Sequence, residues 1–383
     1  MAENLRHLPN YTCLQTIERL RRTDSAKPLF LVDRLHLEVG LVNGNEVFSW
    51  PGESSFEDGR LEDMVPGGAI GNGNFGLIAK ILFESDAPRF RPVTEEMLNG
   101  ARGLRWDYVV DRERGGYTVN GDNDTAVVGT HGAVWADPAT LDVLRVDLHG
   151  DDIPPSTLVV SLFNAIDYGW IKIGETRFLL PRTAELQIVH HNRVENVNRV
   201  QLSGCHEYTG QSHLVDEAAP AAIAPAAPAV NVANVPLGAM LELALQTPID
   251  FATSAIGDPL TFELKNSVKA GGQVLFSKGA VAHGRLTMLR HLERSDGEGY
   301  VVGIRLLSVE AEGNRAAVNA ALRFNAFAGD EQAQRRGRYL LAPGTLPGDL
   351  GSVFFQYGDE FHMKKGATMR WHTVPAQRDS KRQ

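Results

Sequence analysis

The stretch Glu217–Pro236, EAAPAAIAPAAPAVNVANVP, constrains the fold more than any other part of the chain. Its prolines at 220, 225, 228 and 236 cannot donate backbone hydrogen bonds and push the residues before them toward extended conformations, while its alanines offer little apolar area to bury. The run reads as a semi-rigid spacer. The flanks, 1–216 and 237–383, are each long enough to bury a core, since a domain of about 150 residues removes roughly two-thirds of its surface from water. Two domains on a tether are expected.

The flanks differ in charge. Residues 1–236 hold 20 Lys and Arg against 32 Asp and Glu, a balance of −12, and residues 237–383 hold 18 against 15, a balance of +3. An acidic first half argues against nucleic acid as a partner. No apolar run approaches the roughly 20 residues that cross a bilayer, so a soluble, not membrane-spanning, chain is expected. The opening MAENLRHLPNYTC lacks the apolar core of a signal peptide, which leaves two expectations open: a cytoplasmic protein, or an exported one whose signal was replaced by a start Met. Cys13 and Cys205 are too few for a disulfide scaffold and lack CxxC spacing, which excludes a zinc ribbon or thioredoxin-type site.

Hydrophobic periodicity sets the fold class. Tyr11, Leu14, Ile17 and Leu20 fall on one helical stripe, so the chain is expected to open with a helix over Asn10–Arg22. The period then changes to two. Leu35, Leu37, Val39 and Leu41 alternate with Arg34, His36, Glu38 and Gly40, and Asn43-Gly44-Asn45 turns the chain into Glu46–Trp50 as a hairpin. A second helix is expected over Asn74–Glu84. From Phe90 to Tyr208 strands and turns repeat as an antiparallel meander, whose clearest hairpin is Gly132–Gly150, turning at Asp137-Pro138; its last strand, Val200–Tyr208, contains Cys205. Beyond the spacer many short strands with no long helix argue for a small closed or nearly closed antiparallel barrel, broken by an exposed loop over Gly329–Gly348 that carries Arg335, Arg336 and Arg338. The expected fold class is mainly β (α+β): a curved antiparallel sheet with packed helices, then a β-barrel.

Apparent motifs give little chemistry. Gly71-Asn-Gly-Asn-Phe-Gly76 matches GxGxxG, but LEDMVPGGAI precedes it where a dinucleotide fingerprint needs a buried strand. His190-His191, His206 and His213 have no metal-face spacing, and neighbouring histidines on a strand point to opposite faces. Gly210-Gln-Ser212-His213-Leu214 lacks the second glycine and the helix of a nucleophile elbow. Asp107, Asp111, Asp147 and Glu175 are the carboxylates available for acid/base work on a polysaccharide, and their alternation with apolar residues makes a solvated sheet face the ordinary reading. Tryptophans 50, 106, 135 and 170 all fall in the first domain, where core packing and cavity lining are both open to them. No cofactor or metal is expected.

Two resemblances follow from these patterns. Residues about 8–215, through their element order and AVWADPATLDVLRVDL, resemble the lipoprotein-carrier (LolA/RseB-like) fold. The phrases VPLGAMLELALQTPIDFATSAIGDPLTFEL and GGQVLFSKGAVAHGRL are similar to the barrel of TrbI-like conjugal-transfer proteins, with Ser277 where that family usually has proline. The first resemblance implies a curved sheet holding a lipid, acyl chain or lipoprotein segment, with Trp50, Phe75, Trp106 and Trp135 as candidate cavity residues. It also implies that the N-terminal helix packs near the end of the last strand, so that Cys13 and Cys205 form a bridge; two separate buried thiols are the alternative. The expected function is a non-enzymatic, periplasmic or otherwise exported envelope binding protein with a hydrophobic ligand and a barrel for docking an envelope partner. The alternatives are a hydrolase acting on envelope polysaccharide and a structural adaptor.

Overall fold

A computed structural model of the chain describes residues 10–42, 45–53, 56, 61–65, 67–71, 74–121, 123–207, 231–232, 235–270, 272–294, 297–311, 314–323, 339–340 and 350–375. The chain divides into two compact units, Met1–Thr209 and Gly210–Gln383. Most of the expected spacer lies outside the described residues. Part of its end does not behave as a free tether: Asn231–Val232 pairs in parallel with Asn314–Arg315, and the Pro236 carbonyl accepts the Thr373 hydroxyl at 2.6 Å.

The first unit is built on strands β1 (Tyr11–Arg22), β2 (Phe30–Val42), β3 (Asn45–Ser49), β4 (Pro88–Phe90), β5 (Thr94–Leu98), β6 (Ala101–Val110), β7 (Tyr117–Asn120), β8 (Thr125–Ala136), β9 (Val143–Asp151), β10 (Val159–Ile173), β11 (Thr176–His190) and β12 (Glu195–Glu207). They form one antiparallel sheet in the order β3-β2-β1-β12-β11-β10-β9-β8-β6-β4, with β5 on β6 and β7 on β8, curled into a half-barrel. The hairpin 132–150 is present as β8–β9. The Asp137 carboxylate accepts the backbone N–H groups of Ala139 and Thr140 at 2.8 and 3.0 Å, which closes the turn.

The expected N-terminal helix is a strand. From Cys13 to Leu20 burial alternates residue by residue, with Cys13, Gln15, Ile17 and Arg19 inward, because β1 is hydrogen-bonded on both edges, to β2 and β12. Two polar residues at inward positions, Gln15 and Arg19, hide the period of two and let a false helical stripe stand out. The expectation of packed helices fails with it. Among the described residues of this unit the helical content is Leu77–Glu84, two four-residue turns, Leu61–Met64 and Arg112–Gly115, and a 3-10 turn at Pro155–Thr157. The expected helix over Asn74–Glu84 is thus shorter, and begins where the Glu46 carboxylate accepts the N–H groups of Phe75, Gly76 and Leu77 at 3.1, 2.8 and 3.1 Å.

Cys13 and Cys205 form a disulfide across β1 and β12. The register between these strands slips at Cys13, where Thr12 faces His206 and Leu14 faces Ser203, so that Gly204 and Cys205 together oppose one residue. Gly204 sits in this β-bulge with φ +59°, a conformation that disfavours any side chain, and the bulge brings Cys205 against Cys13.

In the second unit the main antiparallel sheet runs 314–317, 297–311, 281–294, 259–264, 240–245, 368–373 and 320–322. Its two ends are one bent segment: Asn314–Ala317 pairs with Ser308–Ala311, and Ala320–Leu322 pairs with Trp371–Thr373, so the strands close into a ring. Phe262, Leu264, Ile304, Phe354 and Trp371 are fully buried in this unit. Of the expected loop 329–348 only Tyr339–Leu340 is described, and it pairs with Phe355 and Phe354 as a strand; Arg335, Arg336 and Arg338 lie outside the described residues.

Candidate functional site

The inner face of the first sheet is organised in cross-strand rows. One row runs Arg19, Asn198, Leu186, Asn164 across β1, β12, β11 and β10, and the next runs Arg21, Asn196, Ile188, Leu162. The first row ties down Gly67, Ala69 and Asn74. Arg19 Nη1 donates to the Gly67 carbonyl, Asn198 Nδ2 to the Ala69 carbonyl at 3.0 Å, and Asn164 Nδ2 to Asn74 Oδ1 at 2.6 Å. Residues 67–71 therefore form a strap over the inner face, fastened at β1 and β12, and Asn74 is fastened at β10. Between these ties Gly71 lies against Leu186, whose Cδ2 would be 2.4 Å from any added Cβ.

Asp33 on β2 takes Arg19 in a two-pronged ion pair in this interior, Nε to Oδ1 at 2.6 Å and Nη2 to Oδ2 at 2.7 Å, with side-chain exposures of 5% and 0%. Arg19, Asn198 and Asn164 are thus anchors on the inner face.

Beside the strap, over the second row, lies a cavity of about 390 Å³, within the range of small-ligand sites. Ile70, Val119, Val159, Leu162, Leu186 and Ile188 give it an apolar wall. Its polar lining includes Arg21, Tyr117, His190 and Asn196, with Asn196 Nδ2 2.9 Å from His190 Nε2. The aliphatic wall can take the apolar part of a ligand.

The four expected cavity aromatics are not brought together here. Phe75 is buried on the inner face against Tyr11, ring centroids 4.8 Å apart; Trp106 is half-buried on that face opposite Val134; Trp50 is half-buried just after β3. Trp135 points the other way, sharing the outer face with Arg105, whose guanidinium lies 5.0 Å from the indole centroid. None of the four lines the strap cavity. The lining residues on β11 follow from the alternation of Ala184–His190, but the strap that walls the cavity has no periodic signal.

Asp107 and Asp147 flank Ala133 on the outer face, and Arg105 and Arg145 hold them at 2.8 and 2.7 Å. Burial pushes the Asp147 carboxyl up, against the pull of Arg145. Asp111 pairs with Arg89, and Glu175 lies 3.3 Å from Lys172. These carboxylates do not face one another across the inner cavity. His206 Nε2 lies 3.2 Å from the Thr12 hydroxyl, and no cluster of metal-type ligands occurs among the described residues; His213 and Ser212 lie outside them. The helix N-terminus after Gly76, where a dinucleotide phosphate would sit, is filled by Glu46.

No family model matches the chain, and no curated protein matches it. Among solved structures it is similar to a LolA superfamily protein from Nitrosomonas europaea, at 8% identity and a TM-score of 0.27, over 53% of this chain and 88% of that one. At that score the likeness carries no argument of its own, and the conjugal-transfer barrel expected for 237–383 is not shown by these comparisons.

Proposed function

We propose that the chain is a non-enzymatic binding protein of the bacterial envelope whose first unit holds an acyl chain, a lipid or a lipoprotein segment beside the strap, while the barrel docks an envelope partner. The observation that carries this reading is the cavity of about 390 Å³ beside the strap, with an aliphatic wall that includes Val159, Leu162 and Ile188. Burying acyl carbons there contributes about 0.8 kcal/mol per methylene, enough for useful affinity from one chain. The disulfide agrees with an exported protein, since such bonds persist mainly in oxidising compartments. No helix of the described residues is long and apolar enough to cross a membrane.

A fluorescent fatty acid titrated into the full chain tests the reading. Binding is expected, and Ile188→Trp, which fills the cavity from a half-buried position, is expected to weaken it at least about tenfold, or about 1.4 kcal/mol. Equal binding by a folded Ile188→Trp variant would place the ligand elsewhere and remove the support for this function.

A further inference from the structure

The strap cavity is asymmetric in charge. In a first half with a balance of −12, its lining contains no Asp or Glu; the basic side chains are Arg21 and His190. The arginines beside Arg21 on β1 are committed, Arg19 to Asp33 and Arg22 Nε to Glu195 Oε2 at 2.6 Å. The Arg21 side chain has neither an ion pair nor a hydrogen bond among the described residues, and it is exposed to solvent near the end of β1. Its place in the row gives the site a direction. Going from β1 to β10, the row passes Arg21, Asn196, Ile188 and Leu162, so a cation stands at one end and aliphatic side chains at the other. Three strand spacings separate the ends, roughly 14 Å.

Resting on the carrier reading, we propose that this cavity selects single acyl chains with an anionic head, a carboxylate or a phosphate monoester, with the chain over Ile188 and Leu162 and the head at Arg21. The guanidinium presents a planar fork of donors that matches either oxyanion, and the uncharged Asn196 next to it lets the charge change to neutral along the row. A head with positive charge meets no carboxylate there.

The test is displacement of Nile red, an uncharged dye, from the full chain by dodecanoate, dodecyl phosphate, dodecanol and dodecyltrimethylammonium, each below its micelle concentration. The two anions are expected to compete about three- to fivefold more strongly than dodecanol, by an advantage that shrinks as salt is added, and the cation least well. Arg21→Gln should bring the anions down to the level of dodecanol, and Arg21→Lys should keep their advantage. A stronger effect of dodecanoate points to free fatty acids, and of dodecyl phosphate to lipid headgroups. If all four compete equally, or if Arg21→Gln keeps the anion preference, the charge selection is overturned while the carrier reading stands. If none displaces the dye, both fall.

Discussion

The two faces of the first sheet use the same residue types to opposite ends. On the inner face Arg19 and Asp33 are 5% and 0% exposed and hold a strap through a single donated hydrogen bond to Gly67. On the outer face Arg145 and Asp147 are 22% and 16% exposed, and Arg105 and Asp107 are 31% and 41% exposed, with Arg145 also 3.1 Å from Asp167. The outer arginines and carboxylates form a ladder that water screens, so each rung contributes little. The inner pair has no such screening. Its value is in position, because an unpartnered charge there has nowhere to go.

The largest effect expected from breaking the inner side comes from the disulfide. Cys13 is an inward residue of β1, 1% exposed, and its bond to Cys205 closes a loop with a sequence separation of 192 residues. On the chain-entropy account, reduction should destabilise the unit by about 5 kcal/mol. Denaturant unfolding with and without reductant measures this, and an unchanged midpoint would show that the β1–β12 ladder suffices without the bond.

The comparison of the faces is sharpened by removing one carboxylate from each. Asp33→Ala leaves the Arg19 guanidinium buried and uncompensated and should cost about 3 to 5 kcal/mol. Asp107→Ala removes a singly bonded partner from an exposed pair and should cost less than about 1 kcal/mol. Both are read from the urea midpoint of the full chain at constant slope. Similar losses from the two would mean that exposure does not separate the faces as described.

This contrast also explains what was legible in the sequence. Strands whose inward residues are apolar, such as Leu35, Leu37, Val39 and Leu41, announce their period, and so did the Asp137 turn. The strand Tyr11–Arg22 did not, because its inward positions include Gln15 and Arg19, and the partner that allows Arg19 to be buried, Asp33, lies on the next strand. A single-chain periodicity count cannot see a cross-strand pair. The cavity was hidden for a related reason. Of the large aromatics, Trp135 lines a cleft of about 450 Å³ on the outer face, whereas the strap cavity is walled by aliphatic residues beside an irregular strap. The resemblance of residues 8–215 to a carrier fold implies the Cys13–Cys205 pair with Cys13 on a helix, whereas the element that carries Cys13 is a strand and a bulge at Gly204 sets the pairing.

The smallest effect expected concerns the outer face alone. His131 and His149 stack there with ring centroids 5.0 Å apart and an interplanar angle of 11°, and His149 in turn lies 4.8 Å from Phe163. Partial burial, then the neighbouring His131, lowers the His149 pKa from its ordinary 6.5, while Asp147 and Asp151 pull the other way. The unfolded chain therefore binds a proton at His149 more readily than the folded one below pH 6.5, and stability should fall as pH falls through that region, with no contribution from this group above it. Asp147 acts with the opposite sign and in a lower window. Its pKa is raised above 3.8 by burial, so the folded state holds that proton longer, and its contribution is present at acid pH and lost as pH rises. Between these windows the His149 slope should stand alone. Melting temperatures of the full chain measured from pH 7.5 down to about 5.5 should decline slightly, and His149→Gln should flatten the decline while leaving the melting temperature at pH 7.5 nearly unchanged. An equal slope in the variant would assign the acid sensitivity to groups other than His149.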